Sequence, residues 1–92
     1  MIIARFLLGQ VVSTPGALDA LLMAGQTPTV FLQRHLAGDW GDVDDDDRCE
    51  NDRSVSNGCR LLSAYTLATG EKLWVITEAD RSSTTILLPS EY

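Results

Sequence analysis

An α+β fold is what the sequence predicts, and three features predict it. The first half twice spells a helix start with threonine ahead of proline, in TPGALDALLMAG and TPTVFLQRHLAG. The last third switches to short runs rich in β-branched and aromatic residues, separated by turn residues. Between them lies an acidic stretch, GDWGDVDDDDRCEND, followed within a few residues by a glycine stop. Together these give one domain over residues 1–92, an antiparallel sheet of three to four strands packed against an N-terminal helical hairpin, with a third helix on the surface. A chain of 92 residues buries only about 60–65% of the surface its unfolded form exposes, so a homodimer contact would add stability.

The opening segment, IIARFLLGQVV, favours a strand, with Gly9 and Gln10 dividing it into a short strand and a lead-in. The first helix takes Thr14 as N-cap, Pro15 as its first residue and Gly25 as its stop, with Leu18, Leu21 and Leu22 inward. The second repeats that grammar from Thr27 and Pro28 to Gly38 and carries Phe31, Leu32, His35 and Leu36. A short connection makes the two a helical hairpin.

A third helix is expected over 44–57, because clustered aspartates suit a helix N-terminus and Gly58 ends it. Only Cys49, Val55 and Cys59 are available to its inner side, so it should lie on the surface. From Arg60 the period becomes that of strands: RLLSAYTL, KLWVITEA and TTILLP form a β-meander. Leu61, Leu73, Val75, Ile86 and Leu88 supply one apolar face; Leu62, Trp74, Ile76 and Leu87 supply the other. The helices cover one face, and the N-terminal strand or a second copy is needed over the other.

Charge narrows the function classes. With net charge −6 and seven basic residues that form no run, the chain is a poor direct binder of nucleic-acid phosphate or of an anionic membrane surface. No apolar run approaches the roughly 20 residues of a membrane span, and Arg5 interrupts the opening one, so a cytoplasmic protein is expected. Cys49 and Cys59 read as small half-buried thiols of a reducing compartment, and with one distant His35 they lack zinc-ligand spacing. His35 has notional nucleophiles in Cys49, Cys59, Ser82 and Ser83, but nothing orders them into a triad, and no cofactor signature is present. The loop residues Glu78, Asp80 and Arg81 fit an acid-base pair or an aspartate-stabilised turn. No catalytic residues, metal or cofactor are assigned.

Eight of the thirteen acidic residues fall within residues 39–52: Asp39, Asp42, Asp44, Asp45, Asp46, Asp47, Glu50 and Asp52. They admit two main readings, beside a calcium or magnesium site for which the spacing lacks the alternating ligands and central glycine of an EF-hand loop. One is a solvated helix start, with Asp44 as N-cap and Asp47 at the capping-box position. The other is a partner-binding surface, which would include Trp40 as an aromatic anchor unless that ring belongs to the core. A helix rises about 1.5 Å per residue and duplex DNA carries about one charge per 1.7 Å, so such a turn approaches DNA's charge density and would attract a basic groove.

The wording GQVVSTPGALDAL, FLQRHLAGDWGDV and RLLSAYTL…GEKLWVITEADRSSTTILLPSEY resembles a family of small bacterial proteins called plasmid-related proteins, over almost the whole chain. The resemblance implies a setting on plasmids and other mobile elements and defines no catalytic residues. Some members carry the label of a type I restriction subunit, yet a subunit of that kind needs a methyl-donor pocket, and no glycine-rich donor loop occurs in these 92 residues. The expectation is a non-enzymatic protein-binding module that inhibits a nucleic-acid-binding defence complex through its acidic surface, as an anti-CRISPR or anti-restriction protein. The alternative is a homodimeric accessory protein that uses an apolar sheet face, its acidic run serving only solubility.

Overall fold

The computed structural model describes residues 4–92. Along the chain run β1 (Gln10–Ser13), α1 (Pro15–Ala24), α2 (Pro28–Leu36), α3 (Asp45–Asn57), β2 (Leu61–Thr66), β3 (Lys72–Thr77) and β4 (Ser83–Leu87), closed by a 3₁₀ turn at Pro89–Glu91. The fold is α+β, with three α-helices and an open four-stranded sheet in the order β1-β4-β3-β2 among the described residues.

Local signals act where the sequence places them. Thr14 Oγ1 accepts the Ala17 N–H at 3.1 Å, and Asp44 Oδ1 accepts the Asp47 N–H at 2.8 Å. Gly25 and Gly58 end α1 and α3. Thr27 precedes α2 but its side chain makes no cap bond, so Pro28 carries that start. The three C-terminal strands pair antiparallel, with Leu61 opposite Thr77 and Val75 opposite Ile86.

The sheet as a whole is mixed, not antiparallel, because β1 joins β4 in parallel, Val11 beside Thr84 and Val12 beside Thr85. The strand also lies on the far side of the glycine from the expected one. Residues 4–9 form no strand, and Ile2 and Ile3 of the expected one lie outside the described residues. Gly9, at φ 64°, runs so close to β4 that a Cβ would collide with the Arg81 and Ser82 carbonyls. Pairing therefore starts after it, with the Gln10 N–H donating to the Ser82 carbonyl at 3.0 Å.

Alternation sorts the sheet residues as their sequence parity requires. Leu61, Leu73, Val75 and Ile86 are buried on the face that receives Ala17, Ala20 and Leu21 of α1 and Phe31 of α2. Leu88 packs at the edge of that core. On the opposite face Ile76 and Leu87 are buried and Trp74 is half-buried, its ring meeting Tyr92 edge-on at 5.5 Å. The chain's own C-terminus shields this face, while β1 lies in the sheet plane and not across it. Arg60 fixes the cover by donating from Nη2 to the Tyr92 hydroxyl at 2.7 Å.

The helix α3 lies at the β2 edge, with an inner side unlike the expected one. Cys49 and Cys59 are exposed, and the residues turned inward are Asn51 and Ser54. Asn51 meets an edge strand whose outward N–H and C=O groups need partners, so the helix supplies hydrogen bonds where an apolar face would leave them orphaned. Asn51 Nδ2 donates to the Leu62 carbonyl at 2.7 Å, and its Oδ1 accepts the Leu62 N–H at 3.2 Å.

Asn51→Ala is expected to cost about 1–3 kcal/mol, read by urea unfolding at pH 7. Asn51→Asp is expected to cost more, because an ionised carboxylate sets acceptor against acceptor at Leu62. The reverse order of the two variants would show that the amide's donor is not what holds α3 to the strand.

Candidate functional site

The acidic segment begins where α2 ends, and its first residues are held inward. Asp39 accepts from Arg34 at both oxygens, 2.7 Å from Nε and 3.3 Å from Nη2, and its Oδ1 also takes the Gly41 N–H at 3.2 Å. The Arg34 bond, opposed by some burial, holds the Asp39 carboxyl below its usual range. The same guanidinium lies over the Tyr65 ring at 4.5 Å, and the Tyr65 hydroxyl donates to the Asp39 carbonyl at 2.7 Å. Burial is the main reason that hydroxyl is pushed up to about 12.

Residues 40–42 then add to the β2 edge. The Ala64 N–H donates to the Trp40 carbonyl at 3.0 Å, and the Asp42 N–H donates to the Ala64 carbonyl at 2.6 Å. Gly41 sits between them at φ 76°, where a Cβ would strike the Ala64 carbonyl oxygen. With Asn51 on Leu62, this short backbone pairing caps the outer groups of both Leu62 and Ala64. Asp42 accepts from the Thr66 hydroxyl at 2.5 Å and has Lys72 Nζ at 3.8 Å.

Trp40 is fully buried and presents nothing to a partner. Its ring lies against Phe6 and edge-on to His35, and its Nε1 donates to Asp52 Oδ1 at 3.0 Å. Arg5 donates to the same oxygen at 3.2 Å. The Trp40 bond first, and Arg5 after it, keep the Asp52 carboxyl below its usual range.

The nine residues assigned to a partner surface therefore divide. Asp39, Trp40, Asp42 and Asp52 build the loop and its anchor, and Asp44 caps α3. Asp45, Asp46, Asp47 and Glu50 remain on exposed turns of α3. Their ion pairs are loose: Asp45 to Arg48 at 3.9 Å and Glu50 to Arg53 at 3.6 Å, both within the helix and exposed.

His35 belongs to a different constellation. It is fully buried, as are Ser63, Thr77 and Thr84 from three neighbouring strands. Ser63 Oγ lies 2.5 Å from His35 Nδ1, Thr77 Oγ1 lies 2.9 Å from Nε2, and Thr84 Oγ1 follows at 2.8 Å from Thr77. Thr84 ends the chain by donating to the Leu8 carbonyl at 2.8 Å.

That carbonyl can only accept, which orients every proton in the chain. Thr84 donates to Leu8, Thr77 to Thr84, and His35 Nε2–H to Thr77; Nδ1 is then the acceptor for Ser63. The imidazole is neutral, and burial, reinforced by the positive charge of Arg81, lowers its pKa to about 4. Ser63 and His35 thus make a hydrogen-bonded pair that no substrate reaches. Ser63, Thr77 and Thr84, polar side chains at positions whose alternation points inward, were the sequence signal for it.

The nucleophiles considered from the sequence are not the partners of His35. In the loop before β4, Asp80 Oδ1 accepts the Ser82 N–H at 2.9 Å. Arg81 donates to backbone carbonyls, with Nη1 2.6 Å from Cys59 and Nη2 2.8 Å from Ser54, so its cation sits at the C-terminus of α3. It holds φ 60°, a left-handed conformation that is strained for arginine. Among the described residues no three His, Cys, Asp or Glu side chains converge as metal ligands would, and no helix is long and apolar enough to cross a membrane. No family model, curated protein or solved structure matches the chain.

Proposed function

We propose that this protein is a non-enzymatic protein-binding module whose acidic helix α3 docks on a basic surface of its partner. The observation that carries this reading is the division of the acids: Asp39, Asp42 and Asp52 are tied to the loop, whereas Asp45, Asp46, Asp47 and Glu50 are exposed on a helix pinned from beneath by Asn51 and Arg81. A pinned helix with consecutive exposed aspartates offers an axial spacing of charge close to that of duplex DNA, without the cost of ordering a loop on binding. The sealing of His35 and Ser63 inside the core agrees with a role in binding.

The partner class is a nucleic-acid-binding complex with a basic groove. Taken with the resemblance to proteins of mobile elements, that points to inhibition of a cytoplasmic host defence system, such as a CRISPR or restriction complex. The contact would be steric and electrostatic, with no cofactor.

The triple change Asp45→Asn, Asp46→Asn and Asp47→Asn tests it, leaving the Asp44 cap in place. Wild-type protein is expected to capture such a complex from a host rich in defence systems and to release it as salt rises, since exposed charges are screened within about 8 Å at physiological ionic strength. The triple variant should capture at least tenfold less. Equal capture by both forms would remove the electrostatic mechanism.

A further inference from the structure

The two edges of the sheet are treated oppositely. At the β2 edge the outward groups of Leu62 and Ala64 are met by Asn51 and by residues 40–42. At the β1 edge no strand of the described residues follows. The Gln10 and Thr14 N–H groups donate to the Ser82 and Ile86 carbonyls, so by alternation Val11 and Ser13 turn their N–H and C=O groups away from the sheet. Beyond its shortness this edge lacks the side-chain guards against pairing: QVVS contains no charge, proline or bulge.

Charge is segregated in the same sense. From Phe6 to Gln33 the only charged residue is Asp19, so 19 of the chain's 20 charged residues lie elsewhere. Two copies of a protein with net charge −6 repel least where the surfaces that meet carry the fewest charges, and β1 with α1, whose one charged residue is Asp19, is such a surface. Val11 and Val12 are each more than two-fifths exposed, and α1, which starts two residues beyond β1, exposes Leu18, Leu22 and Met23.

We propose that β1 is a homodimer interface, at which a second copy of this chain adds its own β1 antiparallel across a two-fold axis. Centred on Val12, the pairing sets Val11 of each copy opposite Ser13 of the other, satisfying four outward N–H groups, and brings the two Val12 side chains face to face. Four residues of strand bury too little alone against the roughly 800 Å² per partner of a stable interface, and the exposed apolar side chains of α1 extend the contact. The result is a continuous eight-stranded sheet. It places the acidic helices at its two far ends, although the dimer itself does not depend on what those helices bind.

Sedimentation of the purified chain tests the proposal. Wild type is expected to run at twice its 10.0 kDa chain mass at micromolar concentration. Val12→Glu and Val12→Lys each place two like charges across the axis and should weaken dimerisation at least tenfold, with unchanged circular dichroism because Val12 is already exposed. Mixing the two variants should restore the dimer through the opposite pair. A wild type that is monomeric at high micromolar concentration, or a dimer that survives both single substitutions, overturns the proposal.

Discussion

Trp40→Ala is expected to destabilise the protein by about 3–5 kcal/mol, a large share of the roughly 5–14 kcal/mol available to a domain of this length. The loss has two parts. The buried indole leaves a cavity beside Phe6 and His35, and Asp52 loses the donor that orients it. Trp40→Phe separates them, since it keeps most of the packing and removes only the Nε1 bond; its cost should be about 1–2 kcal/mol. Urea unfolding followed by circular dichroism gives both numbers. Because residues 40–42 pair with Ala64, the alanine variant should also speed amide exchange at Ala64 and Asp42 well before global unfolding. A loss below about 1 kcal/mol in Trp40→Ala would show that the loop is held by Asp39 and Tyr65 instead.

Acidification from pH 7 to pH 5 is expected to remove about 2 kcal/mol of stability, almost all of it through His35. In the unfolded chain an imidazole titrates near 6.5; in the fold burial lowers it to about 4. The unfolded state therefore binds the proton first. The contribution of the neutral ring is fully present above pH 6.5 and is lost as pH falls from 6.5 towards 4. At pH 4 the loss reaches about 3 kcal/mol. The groups around the ring are Ser63, Thr77, Phe6 and Trp40, with Arg81 adding positive charge, so the imidazolium has no carboxylate to welcome it.

Asp39 and Asp52 act in a lower window. Their carboxyls are held below the ordinary value, so what they contribute is present above it and is lost only as pH falls through their folded values. His35→Gln should be less stable at pH 7, because one side chain cannot serve both Ser63 and Thr77, and its stability should stay nearly flat between pH 7 and 5. Urea midpoints for wild type and variant at both pH values check this. A wild-type midpoint that does not move would mean that His35 is solvated, contrary to its burial.

The residues that were legible in the sequence act through their near neighbours. Thr14, Pro15 and Gly25 delimit α1, Asp44 and Gly58 delimit α3, and the parity of Leu61, Leu73, Val75 and Ile86 selects the core face. The acidic cluster was legible as charge, but not as two populations. Whether an aspartate faces solvent or a partner depends on what the fold brings to it: Arg34 one turn away for Asp39, Arg5 from the N-terminal segment for Asp52, and Thr66 from β2 for Asp42.

Asn51 and Glu91 make the same point. Each reads as a surface residue, yet Asn51 completes the β2 edge, and Glu91 accepts from the Thr14 hydroxyl at 2.6 Å and the Leu88 N–H at 2.8 Å, tying the C-terminus to the start of α1.

The α+β composition, the helix starts and stops, the meander of β2, β3 and β4, and the two apolar faces follow from local sequence, because caps, turns and alternation act over a few residues. Long-range contacts were needed to settle that β1 follows Gly9 and joins β4 in parallel, that Trp40 is an internal anchor, that His35 is sealed against Ser63, and that one sheet edge is closed while the other, among the described residues, is unpaired. Those outcomes rest on partners tens of residues apart, and each was selected because a buried N–H, carbonyl or ring must find its complement somewhere in the folded chain.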